Sequence, residues 1–594
     1  MNDIFTFILS CLAGTCMQPD ADAVARAQGE ALKVLEMRED VINEHLRDKY
    51  YGRSLSANYL ASRYAQNQHD WDLAAELMVP IIKDNPADAE LLNRAMVLAM
   101  GSGEMDKAVQ FAQQIIAIDG GENSLATLMV ALNYFEKNQY KKSSDFIENA
   151  EKGSLSDFVM PLLESWAAAA NGDLRTDNLS DNTIHLYHAI LISEFLGETE
   201  HIKILLSQSL SADGLSLQDI ERIADVYAHI GEREPAIELY QRLFEQWPEN
   251  RILGNKLEAF RNNENLNLLD VVKSPQEGMA NALYDMARLL FQEQSDESAR
   301  VFAHMALYID PSITNAKLLL GYITARNEHY EDAIAYYRAV DANDPQYAES
   351  IRMAADLMEN AGMVDEALME LNALTSKQND IEAIIQSGDI YRRADEFDKA
   401  IAKYNQAAAM LGDEIPKEYW QLLYVRGISY EQMGNWKPAE QDLMKALEYQ
   451  PNHPLILNYL GYAWADQGIN LNKSLNYIRR AAALQPTDGY ITDSLGWVLY
   501  RMGRYEEALP HLERAVELLP YDSVINDHLG DVYWQVGREL EARFQWNRAK
   551  NYSDDSELVE QINAKLETGL VNVDEVQAAQ NDNGFDTDID LFKP

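Results

Sequence analysis

"DSLGWVLYRMGRYEEA", residues 493–508, has a second copy at 527–542, "DHLGDVYWQVGRELEA". Leu495/Leu529, Gly496/Gly530, Gly503/Gly537, Arg504/Arg538 and Ala508/Ala542 fall in register at a displacement of 34 residues. With Gly496 as anchor, small residues follow at +12 (Ala508) and +19 (Ala515), and a proline at +24 (Pro520). Gly427 repeats this with Ala439, Ala446 and Pro451, and Ala287 with Ala299, Ala306 and Pro311. Gly321, Ala224 and Ser62 carry shorter versions that end at Pro345, Pro248 and Pro86. In the second half the anchors stand at 287, 321, 355, 388, 427, 461, 496 and 530, with a five-residue excess near Gly412–Lys417. Weaker anchors upstream, at Ser62, Met96, Ala131, near Ile190 and at Ala224, bring the total to roughly a dozen units. The stretch around Trp166-Ala167-Ala168 reads as a further degenerate one. A period of this length marks a stacked array.

Each unit holds two amphipathic helical patterns separated by turn residues such as Met502-Gly503-Arg504 or Gln432-Met433-Gly434-Asn435. The small residues let neighbouring helices approach closely, and the proline ends the second helix. One helix pair cannot bury its apolar face alone, so the pairs are expected to stack into an all-α solenoid. In its small-residue, aromatic and proline positions the chain resembles the tetratricopeptide repeat (TPR) family over about residues 55–550, most strongly after 277. That resemblance implies helix-turn-helix units wound in a right-handed superhelix, with the first helix of each pair lining a concave protein-binding groove.

The expected organisation is a leader at 1–23, a degenerate solenoid at 24–250, a connector at 251–276, a second solenoid at 277–551, a capping helix at 552–570 and an acidic, disordered tail at 571–594. The connector rests on the Asn-rich, Pro/Gly-terminated "FRNNENLNLLDVVKSPQEG", and the tail on six acids against Lys593.

Acidic residues number 96 against 50 Lys and Arg, a formal charge of −46 that repels nucleic-acid backbones. The bland reading of the excess is a solvated surface; the sharper one is a preference for basic partners. Cys11 and Cys16 are the only cysteines, which excludes disulfides, Cys-ligated zinc and a cysteine nucleophile in the rest of the chain. Ile8-Leu9-Ser10-Cys11 and Leu12-Ala13-Gly14-Thr15-Cys16 loosely resemble a bacterial lipobox, making both cysteines lipidation candidates. No basic residue precedes them, so a degenerate or start-truncated export signal and an ordinary chain end both stay open.

Motifs for phosphate cradling, a nucleophile elbow or a zincin are absent, so no catalytic residue, cofactor or metal is expected. His185 and His188 lie at i, i+3, and without a third ligand they read as surface histidines. The binding candidates lie on the first helices of the late repeats. Tyr490, Asp493, Trp497, Tyr500 and Arg501 form one helical stripe, opposite the core stripe of Ile491, Leu495, Val498, Leu499 and Met502. Tyr424, Asn458, Tyr462, Asp527, Asp531 and Trp534 extend it into neighbouring repeats. Such aromatics either dominate a protein interface or pad adjacent units. Asp493 and Asp527 stand where chaperone-binding TPR modules grip a carboxylate, so a basic or extended apolar partner is expected instead. On this reading, Trp497→Ala with Trp534→Ala weakens partner capture and leaves helicity intact.

Residues 455–550, from "NYLGYAWADQGINLNKSLNYIRRAAALQPTDGYITDSLGWVLYRMGRYEEALPHLERAVELLP" to "HLGDVYWQVGRELEARFQW", resemble TPR lipoproteins of proteobacterial envelopes. The resemblance implies an exported, lipid-anchored, non-catalytic adaptor for a carboxyl-terminal processing protease. A cytoplasmic or generic TPR scaffold with an unrelated partner is the alternative.

Overall fold

The structure, a computed structural model, describes residues 54–147, 158–180, 182–210, 217–247, 250–262 and 272–570. Among them are twenty-nine α-helices, one short 3-10 turn and no strand. Twelve pairs of successive helices pack on each other, and Val159–Ala170, Arg251–Arg261 and Ser556–Thr568 stand outside the pairing. Cys11, Cys16, the leader and the tail lie outside the described residues.

The repeat is built by the packing its period anticipates. A Cβ on Gly496 would stand 2.5 Å from Leu512 Cγ, and one on Gly530 2.4 Å from the Trp546 ring. Gly321 and Gly388 meet Tyr337 and Tyr404 in the same way, each sixteen residues on. The anchor is therefore small because a large side chain at +16 lies across it. The alanines at +12 and +19, including Ala439, Ala446, Ala508 and Ala515, are fully buried. The tight turn inside each pair needs one residue in the left-handed region, supplied by Gly503 (φ 73°) in one repeat and by Gln294 (φ 63°) in another.

The chain divides into two compact units, Met1–Glu370 and Leu371–Pro594. This differs from the expected division at 251–276. Within that stretch, Arg251–Arg261 is a helix packed on Arg233–Gln246. Its Leu253, Leu257 and Phe260 are buried with Leu239, Tyr240 and Leu243, an i, i+4, i+7 apolar stripe that the Asn-rich composition hides. The region around Trp166 contributes one helix, Val159–Ala170, followed by the non-helical segment 171–180 in place of a second helix.

The N-terminal unit departs from a nearest-neighbour stack. Helix Pro275–Gln292 packs against Val159–Ala170 and Thr183–Phe195, and helix Asp296–Ile309 against Ala89–Gly101 and Ser124–Glu136. One apolar core runs from Ala61 to Ile323 as a result. The cause is legible in "SLATLMVALNYFE", residues 124–136, which is apolar around nearly its whole circumference and has eleven of its 13 residues buried. A helix of that kind needs cover on every side. In the C-terminal unit the core breaks into smaller clusters that follow the chain, such as Leu423–Ile491 and Ala465–Ile562.

Candidate functional site

The predicted stripe exists as a helical face, but most of its polar members are already engaged. On helix Gly489–Arg501, Asp493 is buried and both its oxygens lie 3.0 Å from His528 Nδ1 of helix Ser523–Gln535. Burial works against a charge on that imidazole; Asp493, backed by Asp527 and Asp531, outweighs it and raises the His528 pKa. Trp497, 9% exposed, is stacked between His528 at 3.9 Å and Tyr500 at 4.8 Å. The Arg501 guanidinium lies 5.8 Å from the Trp497 ring and 3.5 Å from Asp466.

One repeat on, Asp527 and Asp531 are closed by the single C-terminal helix. Lys565 Nζ donates to Asp527 Oδ2 at 2.7 Å and to both Asp531 oxygens at 2.8 and 2.9 Å. Trp546 Nε1 donates to Asp531 at 2.9 Å. Burial and then the Asp527 charge push the Asp531 carboxyl up to about 6, against the pull of Lys565. Trp534 is tilted on Trp546 at 5.4 Å, beneath the Arg543 guanidinium and against Gly569.

Two expectations change accordingly. The carboxylates Asp493, Asp527 and Asp531 are internally compensated and do not form an open acidic wall for a basic partner. Trp497 and Trp534 carry packing, so replacing them would perturb the fold together with any binding. Tyr424, Tyr462 and Asn458 are half-buried on the preceding first helices. Tyr424 meets Tyr459 edge to face at 6.1 Å, and the buried Asn458 Oδ1 has no hydrogen-bond partner.

Tyr490 alone among the candidates is largely exposed, at 59%. It stands six residues before its anchor glycine. The same register position holds Leu455 before Gly461 and Val524 before Gly530, 44% and 43% exposed. Three consecutive repeats thus leave an apolar side chain uncovered at the N-terminal end of the stripe. Leu455 and Val524 were not singled out from the sequence, although the repeat register aligns them with Tyr490. His528 and Lys565 were also missed: Lys565 lies beyond the last repeat, where the period says nothing.

His185 and His188 are buried, contrary to the surface expectation. His185 Nε2 lies 2.7 Å from the Phe158 carbonyl, while Nδ1 accepts from Ser180 N at 3.0 Å. His188 Nδ1 accepts from Trp166 Nε1 at 3.3 Å, and its Nε2 lies 3.4 Å from Asp285. Asp285 also binds Arg222 Nη1 at 2.6 Å. Burial opposes that carboxylate, but Arg222, His188 and Arg288 hold it well below the usual range. These groups join helix Pro275–Gln292 to the inner helices of its own unit. Among the described residues no group of three or more His, Cys, Asp or Glu could hold a metal ion, and no helix is long and apolar enough to cross a membrane.

Tetratricopeptide repeat models match residues 59–123, 284–348, 221–250, 421–453 and 493–522. The TPR repeat-containing protein PA4667 of Pseudomonas aeruginosa is 27% identical over 191 residues, which cover 32% of this chain and 31% of that protein. The match therefore spans about a third of that relative's length. Among solved structures, a tetratricopeptide repeat protein from Parabacteroides merdae is 17% identical at a TM-score of 0.31, covering 48% of this chain and 97% of that one. The Cut9-Hcn1 hetero-tetramer of the APC/C is 14% identical at a TM-score of 0.37, covering 83% and 98%.

Proposed function

From the premise that this is a tetratricopeptide repeat protein, we propose that it is a non-catalytic scaffold whose C-terminal unit captures a protein partner along the first-helix stripe. The observation that carries this reading is the exposed apolar line of Leu455, Tyr490 and Val524, repeated in register over three units. Apolar side chains left uncovered at the same position of successive repeats suit a partner that runs along the stack. The charged residues deeper in the stripe then hold the repeats together, and the apolar rim makes the contact. Tyr490 belongs to a residue type that dominates interface energetics, at about 2 kcal/mol or more when well buried.

The resemblance of residues 455–550 to envelope TPR lipoproteins supports a narrower form: an exported adaptor, lipid-anchored through Cys11 or Cys16, that recruits a processing protease or another cell-wall factor. A cytoplasmic scaffold with an unrelated partner is the second reading.

The test is affinity capture from envelope extract with the full chain and with a triple variant, Leu455→Ser, Tyr490→Ser, Val524→Ser. Because all three side chains are exposed, thermal unfolding should change little. Partner recovery should fall by at least about tenfold. Equal recovery by both proteins would remove the stripe as the binding surface. Acyl labelling with fractionation decides the location: a label on Cys11 or Cys16 supports export, and an unlabelled cytoplasmic pool rejects it.

A further inference from the structure

Within the N-terminal unit a cavity of ≈ 410 Å³ opens between helices Thr183–Phe195, Leu217–His229 and Pro275–Gln292 and the loop that carries Asp310 and Ser312. We propose that this cavity takes the side chain of a lysine or arginine presented by a protein partner. The inference is independent of the stripe on the C-terminal unit.

The lining has two parts, and both match such a side chain. Leu191, Val226, Val272 and Ile313 supply apolar wall, against which an aliphatic stem can lie. The remainder is polar and predominantly anionic, which suits a cationic head. Most of the acids there already have donors of their own. Asp225 accepts from Lys256 at 3.0 Å and from Tyr240. Asp344 accepts from Thr314 Oγ1 at 2.6 Å and Gln346 N at 2.8 Å. Asp310 accepts from Ser312 N at 2.8 Å, and Glu277 from Lys273 N at 2.7 Å.

Glu194 is different. Its side chain is 7% exposed, and the basic side chain nearest it is His229, whose Nε2 lies 3.3 Å away and which is itself 40% exposed. Desolvation pushes the Glu194 carboxyl up to about 7, so the group is held in the wall without enough positive charge to match it. A cation entering the cavity would supply that charge.

Other ligand classes fit less well. The Arg222 guanidinium is committed to Asp285 at 2.6 Å and lies over the Tyr187 ring at 4.9 Å, so an anion would meet the acids without a free positive partner. A bare divalent ion lacks a ligand set among the described residues, and the volume lies within the range of organic ligands, roughly 300–1,000 Å³.

The probes are three blocked tripeptides, acetyl-Gly-Arg-Gly-amide, acetyl-Gly-Lys-Gly-amide and acetyl-Gly-Glu-Gly-amide, titrated calorimetrically into the full-length chain at low salt. The Arg or the Lys peptide, or both, should bind saturably and the Glu peptide should not. Which of the two cations binds more tightly separates a guanidinium from an ammonium source. Glu194→Gln keeps the shape and removes the charge, and it should weaken binding at least about tenfold. Glu331→Gln, on the exposed surface of the same unit, should leave it unchanged. In the wild type, affinity should rise about tenfold between pH 6 and pH 8 as Glu194, with its carboxyl raised to about 7, ionises. That profile needs no substitution, so it holds even if a variant folds poorly. Equal binding of all three peptides, binding of none, or a pH-independent affinity overturns the proposal.

Discussion

In the N-terminal unit, His329 Nε2 lies 3.0 Å from the Gln68 carbonyl, 261 residues away in sequence, and Arg300 Nε donates to the Gly101 carbonyl at 2.6 Å, 199 residues away. In the C-terminal unit, Lys565 reaches Asp527, 38 residues away, and His528 reaches Asp493, 35 away. The same repeat therefore serves two kinds of assembly. The C-terminal unit is a nearest-neighbour stack, in which stability is a sum over repeats and interfaces. The N-terminal unit is closed by its own later helices, which pack on helices Ala89–Gly101, Ser124–Glu136, Val159–Ala170 and Thr183–Phe195. The closing interface is rich in ionisable groups: Asp285, Arg222, His188, Arg300 and His304 all meet in it or beside it. Buried charges of this kind define a geometry more than they add stability.

The largest test of that contrast is Asp285→Ala. It leaves Arg222 and His188 facing each other without their carboxylate, and breaking a buried ionic cluster costs about 3–5 kcal/mol. Because that cluster joins distant repeats, hydrogen-exchange protection should fall throughout the helices from Leu55 to Ile309, with those from Ile381 to Thr568 unchanged. Lys565→Ala should instead loosen only the last repeat and its cap, from Ser523 to Thr568. If Asp285→Ala loosens Pro275–Gln292 alone, the N-terminal unit is a simple stack as well.

Two buried histidines give an intermediate test, with opposite signs. His304 lies in the closed interface beside Arg300, with its Nε2 3.2 Å from Tyr336 Oη. Burial, then Arg300, holds its pKa well below the ordinary value of about 6.5. The folded protein keeps this ring neutral, so its contribution is complete above about pH 6.5 and is lost as pH falls from there toward the lowered folded pKa. His528 has a raised pKa in the folded state because of Asp493. Its contribution is complete below about pH 6.5 and is lost as pH rises through that raised value. Each proton can change stability by up to about 1.4 kcal/mol per pH unit. His304→Gln should flatten the acid side of the stability profile of the N-terminal unit, and His528→Gln the alkaline side of the C-terminal unit, both read by exchange protection across pH. The same flattening in both variants would contradict the assignment.

The repeat, its pairing and the burial of Ala508 and Ala515 were legible because the period places small residues where backbones must approach. The closure was not, since a 34-residue period describes only neighbours. Its trace was local and easily passed over: residues 124–136 are apolar around nearly the whole helix. The site was legible as a stripe but not as a balance of charge. Asp493 and Asp527 look like an open acidic wall until His528 and Lys565 are placed beside them, and nothing in the spacing announces those partners. Tyr490 lies at the exposed end of that helical face, and its exposed equivalents Leu455 and Val524 follow once the anchors are aligned.

The smallest expected effect concerns the turns, where the two units differ again. The C-terminal unit places glycine at the left-handed turn residue in its last four pairs, at Gly434, Gly468, Gly503 and Gly537, whereas the N-terminal unit mixes glycine, as at Gly103, with Gln294 (φ 63°) and Glu328 (φ 64°). A side chain in that conformation costs about 1–2 kcal/mol, part of which glycine returns through the greater freedom of the unfolded chain. Gln294→Gly should therefore stabilise the N-terminal unit by about 0.5–1 kcal/mol, read as a higher midpoint in chemical unfolding. Gly503→Gln, its mirror in the C-terminal unit, should destabilise by a similar amount and loosen only the pair Gly489–Arg501 and Tyr505–Leu518 with its immediate neighbours. If Gln294→Gly lowers the midpoint, the glutamine side chain holds that turn through contacts of its own, and the turn chemistry of the two units is not interchangeable.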